Sequence, residues 1–160
     1  MPARRLAALV GIGLAAAGLT ACDTPSPRAS FFSGSETVST EAVAWCTGNG
    51  TVASDPLAAD CVRGPEIAAT VEAVPGTQVG VEVDPAVAED GWAVTLLRSD
   101  GQVGRVPVSR GNSYARFTVP VADAAGAQTY VVEIVALRPG KQADTARGLW
   151  RFRLDTVDSR

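Results

Sequence analysis

From about residue 38 onward, apolar and polar positions alternate in short runs broken by Gly, Pro, Asp and Asn, and no stretch holds a helical apolar period for three turns. In "QVGVEV", Val79, Val81 and Val83 share one face while Gly80 and Glu82 share the other. "WAVTLL" aligns Trp92, Val94 and Leu96, and "LWRFRLD" sets Trp150, Phe152 and Leu154 against Arg151, Arg153 and Asp155. "YVVEIVAL" is apolar on both faces, as suits a strand in the middle of a sheet. The pattern predicts strands near 39–46, 66–73, 78–84, 92–99, 102–108, 114–119, 129–137 and 147–155. Ser99-Asp100-Gly101 reads as a hairpin turn. In "DPAVAED" at 84–90, Asp84 as cap, Pro85 at the first position and Gly91 as terminator predict one helical turn. The expected fold is all-β, an immunoglobulin-like sandwich of about seven or eight strands with one short helical turn. The immunoglobulin likeness rests on strand number and Trp92 alone.

The N-terminus follows a different pattern. Arg4 and Arg5 precede an apolar run from Leu6 to Leu19, followed by small residues, the order of a secretory signal. At about 1.5 Å per helical residue the run reaches roughly 21 Å, short of a hydrocarbon core of about 30 Å, which disfavours a permanent transmembrane helix. The flanking residues typical of twin-arginine export are missing around Arg4-Arg5. Leu19-Thr20-Ala21-Cys22 resembles the lipobox of bacterial lipoproteins, which implies diacylglyceryl transfer to the Cys22 sulfur and cleavage just before it. A thiolate is the side-chain nucleophile best suited to that alkylation. The alternative is a plain signal peptide in which Cys22 is an incidental small residue. Residues 1–21 are thus read as a lipoprotein signal peptide, 22–35 as a flexible Pro/Ser/Gly tether, and 36–160 as a single β-sandwich domain. Phe31 and Phe32 stand out in that tether, either dipping into the membrane interface or packing on the domain edge.

Removing the signal takes Arg4 and Arg5 with it, so the formal charge of −3 becomes more negative, which disfavours nucleic acid and a polybasic membrane patch. With Cys22 carrying lipid, Cys46 and Cys61 remain as a pair in a compartment where disulfides persist. A bond between them would close a loop of about 15 residues and stabilise the fold by roughly 3 kcal/mol. Two free thiols are the rival reading.

The cysteine pair, "VPGTQVGVEVDPAVAEDGWAVTL" at 74–96, "VEIVAL" at 132–137 and "RGLWRFRL" at 147–154 together resemble a family of small actinobacterial lipoproteins defined only as a domain of unknown function. The likeness spans nearly all the mature chain, with Thr47 and Gly91 departing from its commoner residues. It implies a membrane-anchored extracytoplasmic β-domain and no catalytic residues.

Candidate chemistry narrows quickly. The chain contains no histidine, which removes histidine-based triads, H-E-x-x-H zinc sites and the commonest neutral-pH base. Lys141, the only lysine, lies in a Pro-Gly turn rather than the desolvated site a Ser-Lys dyad requires. Asp55 with Asp60, and Asp84 with Glu89 and Asp90, are the acidic groups, and neither follows an EF-hand pattern. Arg147, Arg151 and Arg153 share one face of the last strand, either gripping an anion or forming a solvated surface. Asn49-Gly50-Thr51 fits a glycosylation sequon and also a turn. The expectation is no cofactor, no metal and no catalysis: a module held on the outer face of the cytoplasmic membrane by its lipid, with an envelope protein or glycan as partner. The alternative is an apolar-ligand carrier.

Overall fold

The computed structural model of the chain describes residues 26–47, 61–108, 110–121, 127–138 and 146–158. Among the described residues, eleven strands form two sheets, joined by one helical turn. The smaller contains β2 (Glu36–Glu41), β1 (Arg28–Ser33), β6 (Gln78–Val83) and β9 (Tyr114–Thr118), in that order. The larger runs β4 (Cys61–Arg63), β3 (Ala44–Cys46), β11 (Ala146–Thr156), β10 (Thr129–Leu137), β7 (Trp92–Arg98) and β8 (Gly101–Val108). β5 (Ala69–Ala73) adds to β11 in parallel, beyond the stretch that β3 occupies. All the other pairings are antiparallel.

The all-β sandwich expected from the alternation is the observed architecture. Val79, Val81 and Val83 of the smaller sheet face Trp150, Phe152 and Leu154 of the larger across one core. β10 lies between β11 and β7, the central place its two apolar faces predict. The 85–90 segment is the expected single turn, α1 (Pro85–Asp90), and Gly91 at φ 89° ends it in a conformation that L side chains rarely adopt.

Four details differ from the sequence reading. Residues 28–33 are not tether but β1, an interior strand between β2 and β6. Ala29 and Phe31 alternate with Arg28, Ser30 and Phe32, and Phe31 is fully buried, 5.7 Å from the Phe152 ring and 6.1 Å from the Phe117 ring. The Pro and Ser residues beside this short run mask its period in the sequence. Secondly, the strand predicted over 39–46 is two strands in different sheets. The chain changes sheet at Ala42–Val43, where the Val43 amide donates to the Leu149 carbonyl (2.8 Å).

Thirdly, β4 has only three residues, too few to show a period. Finally, the Asp84 side chain does not cap α1. Its Oδ2 instead accepts from the Arg28 amide (2.7 Å), while the Asp84 amide donates back to the Arg28 carbonyl (3.1 Å), which ties the start of β1 to the end of β6.

Candidate functional sites

Cys22, Asn49-Gly50-Thr51, Asp55, Asp60 and Lys141 lie outside the described residues. Cys46 is buried and disulfide-bonded. The β3–β4 register sets Cys61 directly opposite it, on neighbouring strands of the same sheet rather than across the sandwich.

The strand-face arginines are each paired with a carboxylate. Arg151 Nε donates to Glu133 (3.0 Å), its direct cross-strand neighbour. Arg153 pairs with Asp155 (3.0 Å), two residues along the same strand. Arg147 reaches Asp90 (2.8 Å), donates to the Ala86 carbonyl (2.9 Å) and lies 4.6 Å from the centre of the Trp45 ring. Among the described residues, these contacts leave no convergent guanidinium cradle on that face. The acidic cluster at the helical turn is divided in the same way, with Asp84 turned to β1 and Asp90 to Arg147. Among the described residues no group of three or more metal-ligating side chains converges.

Arg147 therefore fastens α1 to the larger sheet. Both partners of its ion pair are about one-fifth exposed, so the pair is only partly screened by solvent. We expect Arg147→Ala to lower stability by about 2 kcal/mol, from a lost charged hydrogen bond and a lost cation–π contact. A denaturant titration measures this, and an unchanged midpoint would contradict the assignment.

Asp155 is held below the usual carboxylate range, chiefly because the Thr129 hydroxyl donates to it (2.7 Å), with Arg153 adding to the effect against the opposing cost of burial. A depressed folded-state pKa contributes stability at pH above the unfolded value of about 3.9, and loses it as pH falls through the folded value. Thr129→Val should thus destabilise the domain at pH 7 and have a smaller effect below pH 3. A pair of melting curves at the two pH values reads the difference.

Two further surface features among the described residues were not visible in the sequence. The first is an apolar cleft of about 250 Å³ between the facing edges of the two sheets, lined by Val94, Leu96, Val103, Gly104, Val106 and Phe117. Its floor follows from the register. Val106 and Gly104 of β8 oppose Val94 and Leu96 of β7, so Gly104 stands in the inward-facing row where an apolar side chain would otherwise fill the space. A Cβ at Gly104 would meet nothing within 4 Å, and no positive φ requires glycine there. The pairing shifts by one residue beside it, leaving Val103 as an extra, 40 % exposed residue at the mouth. The only sequence signal is that single glycine in an otherwise regular apolar row.

The second feature lies on the outer face of the smaller sheet. Phe32 and Tyr114 meet edge to face at 6.2 Å, and the Arg116 guanidinium sits 5.3 Å from the centre of the Tyr114 ring. Gly80 permits this, because a Cβ there would collide with the Tyr114 ring and hydroxyl. With Gln78 these groups border a shallow depression of about 250 Å³. Phe32 is thus half-buried on an outer sheet face while its neighbour Phe31 is in the core. Cross-strand aromatic cover of a strand glycine explains the arrangement structurally. Chemically it offers an apolar ring edge beside hydrogen-bond donors.

No family model, curated protein or solved structure matches the chain.

Proposed function

We propose that the chain is a membrane-anchored extracytoplasmic lipoprotein whose β-sandwich is a non-catalytic binding or assembly module of the cell envelope. The observation that carries the reading is the junction between lipobox and fold. Cys22 is followed after only a few residues by a chain already fixed in the domain, where the Pro27 carbonyl accepts from Trp150 Nε1 (3.1 Å) and the Arg28 amide donates to Asp84. A start so closely built into the fold suits a lipid hook at Cys22. The resemblance of the 74–96, 132–137 and 147–154 stretches to actinobacterial lipoproteins points to the same placement, and the pairing of Arg147, Arg151 and Arg153 with carboxylates favours a structural rather than a catalytic use of those charges.

For a protein partner, the sheet edges differ in what they offer. β8 carries a bulge at Val103, Pro107 and the exposed Arg105, all of which hinder strand addition. β2 is regular over six residues and borders solvent with Ser and Thr side chains. Of these two edges, β2 is the one open to strand addition, and we place the partner there. A photo-crosslinker at Ser39 should capture one envelope partner in cells, and the same group at Arg105 should not. Equal capture from both positions, or from neither, would count against docking at β2.

The Gly104 cleft favours a second reading, an apolar-ligand carrier. At about 250 Å³ it falls below the roughly 300–1,000 Å³ of typical small-molecule sites, enough for part of an aliphatic chain. On the leading reading the cleft is an unfilled space, and Gly104→Leu stabilises the domain by about 0.5–2 kcal/mol by filling it and stiffening the strand. Thermal melting checks this, and lipid extraction with mass spectrometry separates the readings. A stoichiometric lipid on the wild type that disappears in Gly104→Leu would establish the carrier.

A further inference from the structure

The sandwich has two distinct ends. At one, the start of β1 meets the end of β6 and α1. The Trp92 indole donates to the Asn112 carbonyl there (2.7 Å), Trp150 to the Pro27 carbonyl (3.1 Å), and the Gly111 amide to the Ala88 carbonyl (2.8 Å). At the other end, the Gly76 amide donates to the Val119 carbonyl (2.9 Å) and the Ser33 hydroxyl to the Glu72 carbonyl (2.6 Å), close to the β7–β8 hairpin turn. β11 alone spans eleven residues, so the two ends are separated by about 35 Å at the usual strand rise.

We infer that the end bearing Pro27, Arg28 and α1 is a lipid-facing surface, held against the head groups by the chain itself. The inference rests on acylation of Cys22. Only residues 23–25 separate that cysteine from Ser26, and a fully extended chain over this stretch reaches at most about 14 Å. The head-group layer itself takes up about 5–7 Å of that length. Ser26 then stands no more than about 10 Å above the head groups, and hydrogen bonds at the next two residues stop the domain from swinging on a longer leash. The opposite end would have to lie more than twice as far from its anchor as the chain can reach.

The apposed surface comprises the exposed Pro85, Ala86, Glu89, Arg110 and Asn112 around the helical turn. Arg28, Asp84, Glu89 and Arg110 give it both signs of charge, so covalent reach rather than attraction to anionic lipid holds it in place, and the contact should persist in high salt. The Val74–Thr77 and Ser99–Asp100 turns, at the opposite end, then face away from the membrane.

Hydrogen exchange on the lipidated protein in phosphatidylglycerol/phosphatidylethanolamine vesicles tests this. The comparison is a variant with about twenty Gly-Ser residues inserted after Asp23, which extends the root-mean-square reach by about 25 Å. The native tether should slow exchange at 84–91 and 110–113 relative to the long tether, at low and high salt alike, and leave 74–77 and 99–101 unchanged. Vesicle-bound protein with equal exchange at both ends, or with slowing at 74–77, would overturn the orientation alone. Protein left unacylated in the supernatant would overturn both the orientation and the anchoring on which it rests.

Discussion

Phe31→Ala is expected to destabilise the domain by about 3–5 kcal/mol, the range for truncating a fully buried aromatic ring. Phe31 is completely excluded from solvent, and its ring packs on Phe152 of the opposite sheet and Phe117 of its own. Its loss leaves a cavity that rigid neighbouring strands can only partly close, because β1 is hydrogen-bonded on both sides, to β2 and to β6. Small domains are stable by about 5–15 kcal/mol, so the variant should be close to unfolding at physiological temperature. Phe32→Ala, one residue along and on the outer face, should cost less, within about 1 kcal/mol, through loss of its edge contact with Tyr114. Urea titrations of the two variants measure the contrast. Equal effects would mean that residues 28–33 are not the interior strand described above.

Cys22→Ser is expected to abolish acylation altogether while leaving the melting temperature of the domain unchanged. A serine hydroxyl stays protonated at neutral pH and lacks the nucleophilicity of a thiolate, so the lipid donor has nothing to alkylate. On the anchoring proposed above, the variant would then lack the two acyl chains that make membrane attachment firm. Metabolic labelling with a fatty acid reads the loss directly. Cys46→Ser provides the complementary result: labelling is retained, and stability falls by about 3 kcal/mol as the constraint on the unfolded chain is removed. Label that survives in Cys22→Ser, or vanishes in Cys46→Ser, would place the lipid elsewhere.

Most of the fold was legible in the sequence because its long strands either alternate apolar and polar positions or, like β10, are apolar on both faces. β6, β7, β10 and β11 lie within two residues of their predicted limits, and the Asp-Pro…Gly bracket located α1. The shorter elements were hidden for physical reasons. Arg28–Ser33 offers only Ala29 and Phe31 on its inner row, among Pro and Ser residues that read as linker. β3 and β4, at three residues each, are fixed by pairing with partners far away in sequence rather than by any local pattern. Asp84 satisfies the sequence rules for a helix cap, but the end of β6 brings its carboxylate to the Arg28 amide instead.

The candidate sites were less legible than the fold. The arginine stripe at 147, 151 and 153 resembled an anion grip because its partners Asp90 and Glu133 lie on other elements. The cleft beside Gly104 and the Phe32–Tyr114–Arg116 group both depend on which strands become neighbours. Alternation gives the face on which a residue sits but not the strand beside it, so neither feature leaves more than a single glycine as its trace.

The intact mass of the protein extracted from membranes bears most directly on the account. The predicted species begins at Cys22, lacks residues 1–21 and carries a diacylglyceryl group on that sulfur. A mass that retains residues 1–21, or that begins at Cys22 with an unmodified thiol, would contradict it.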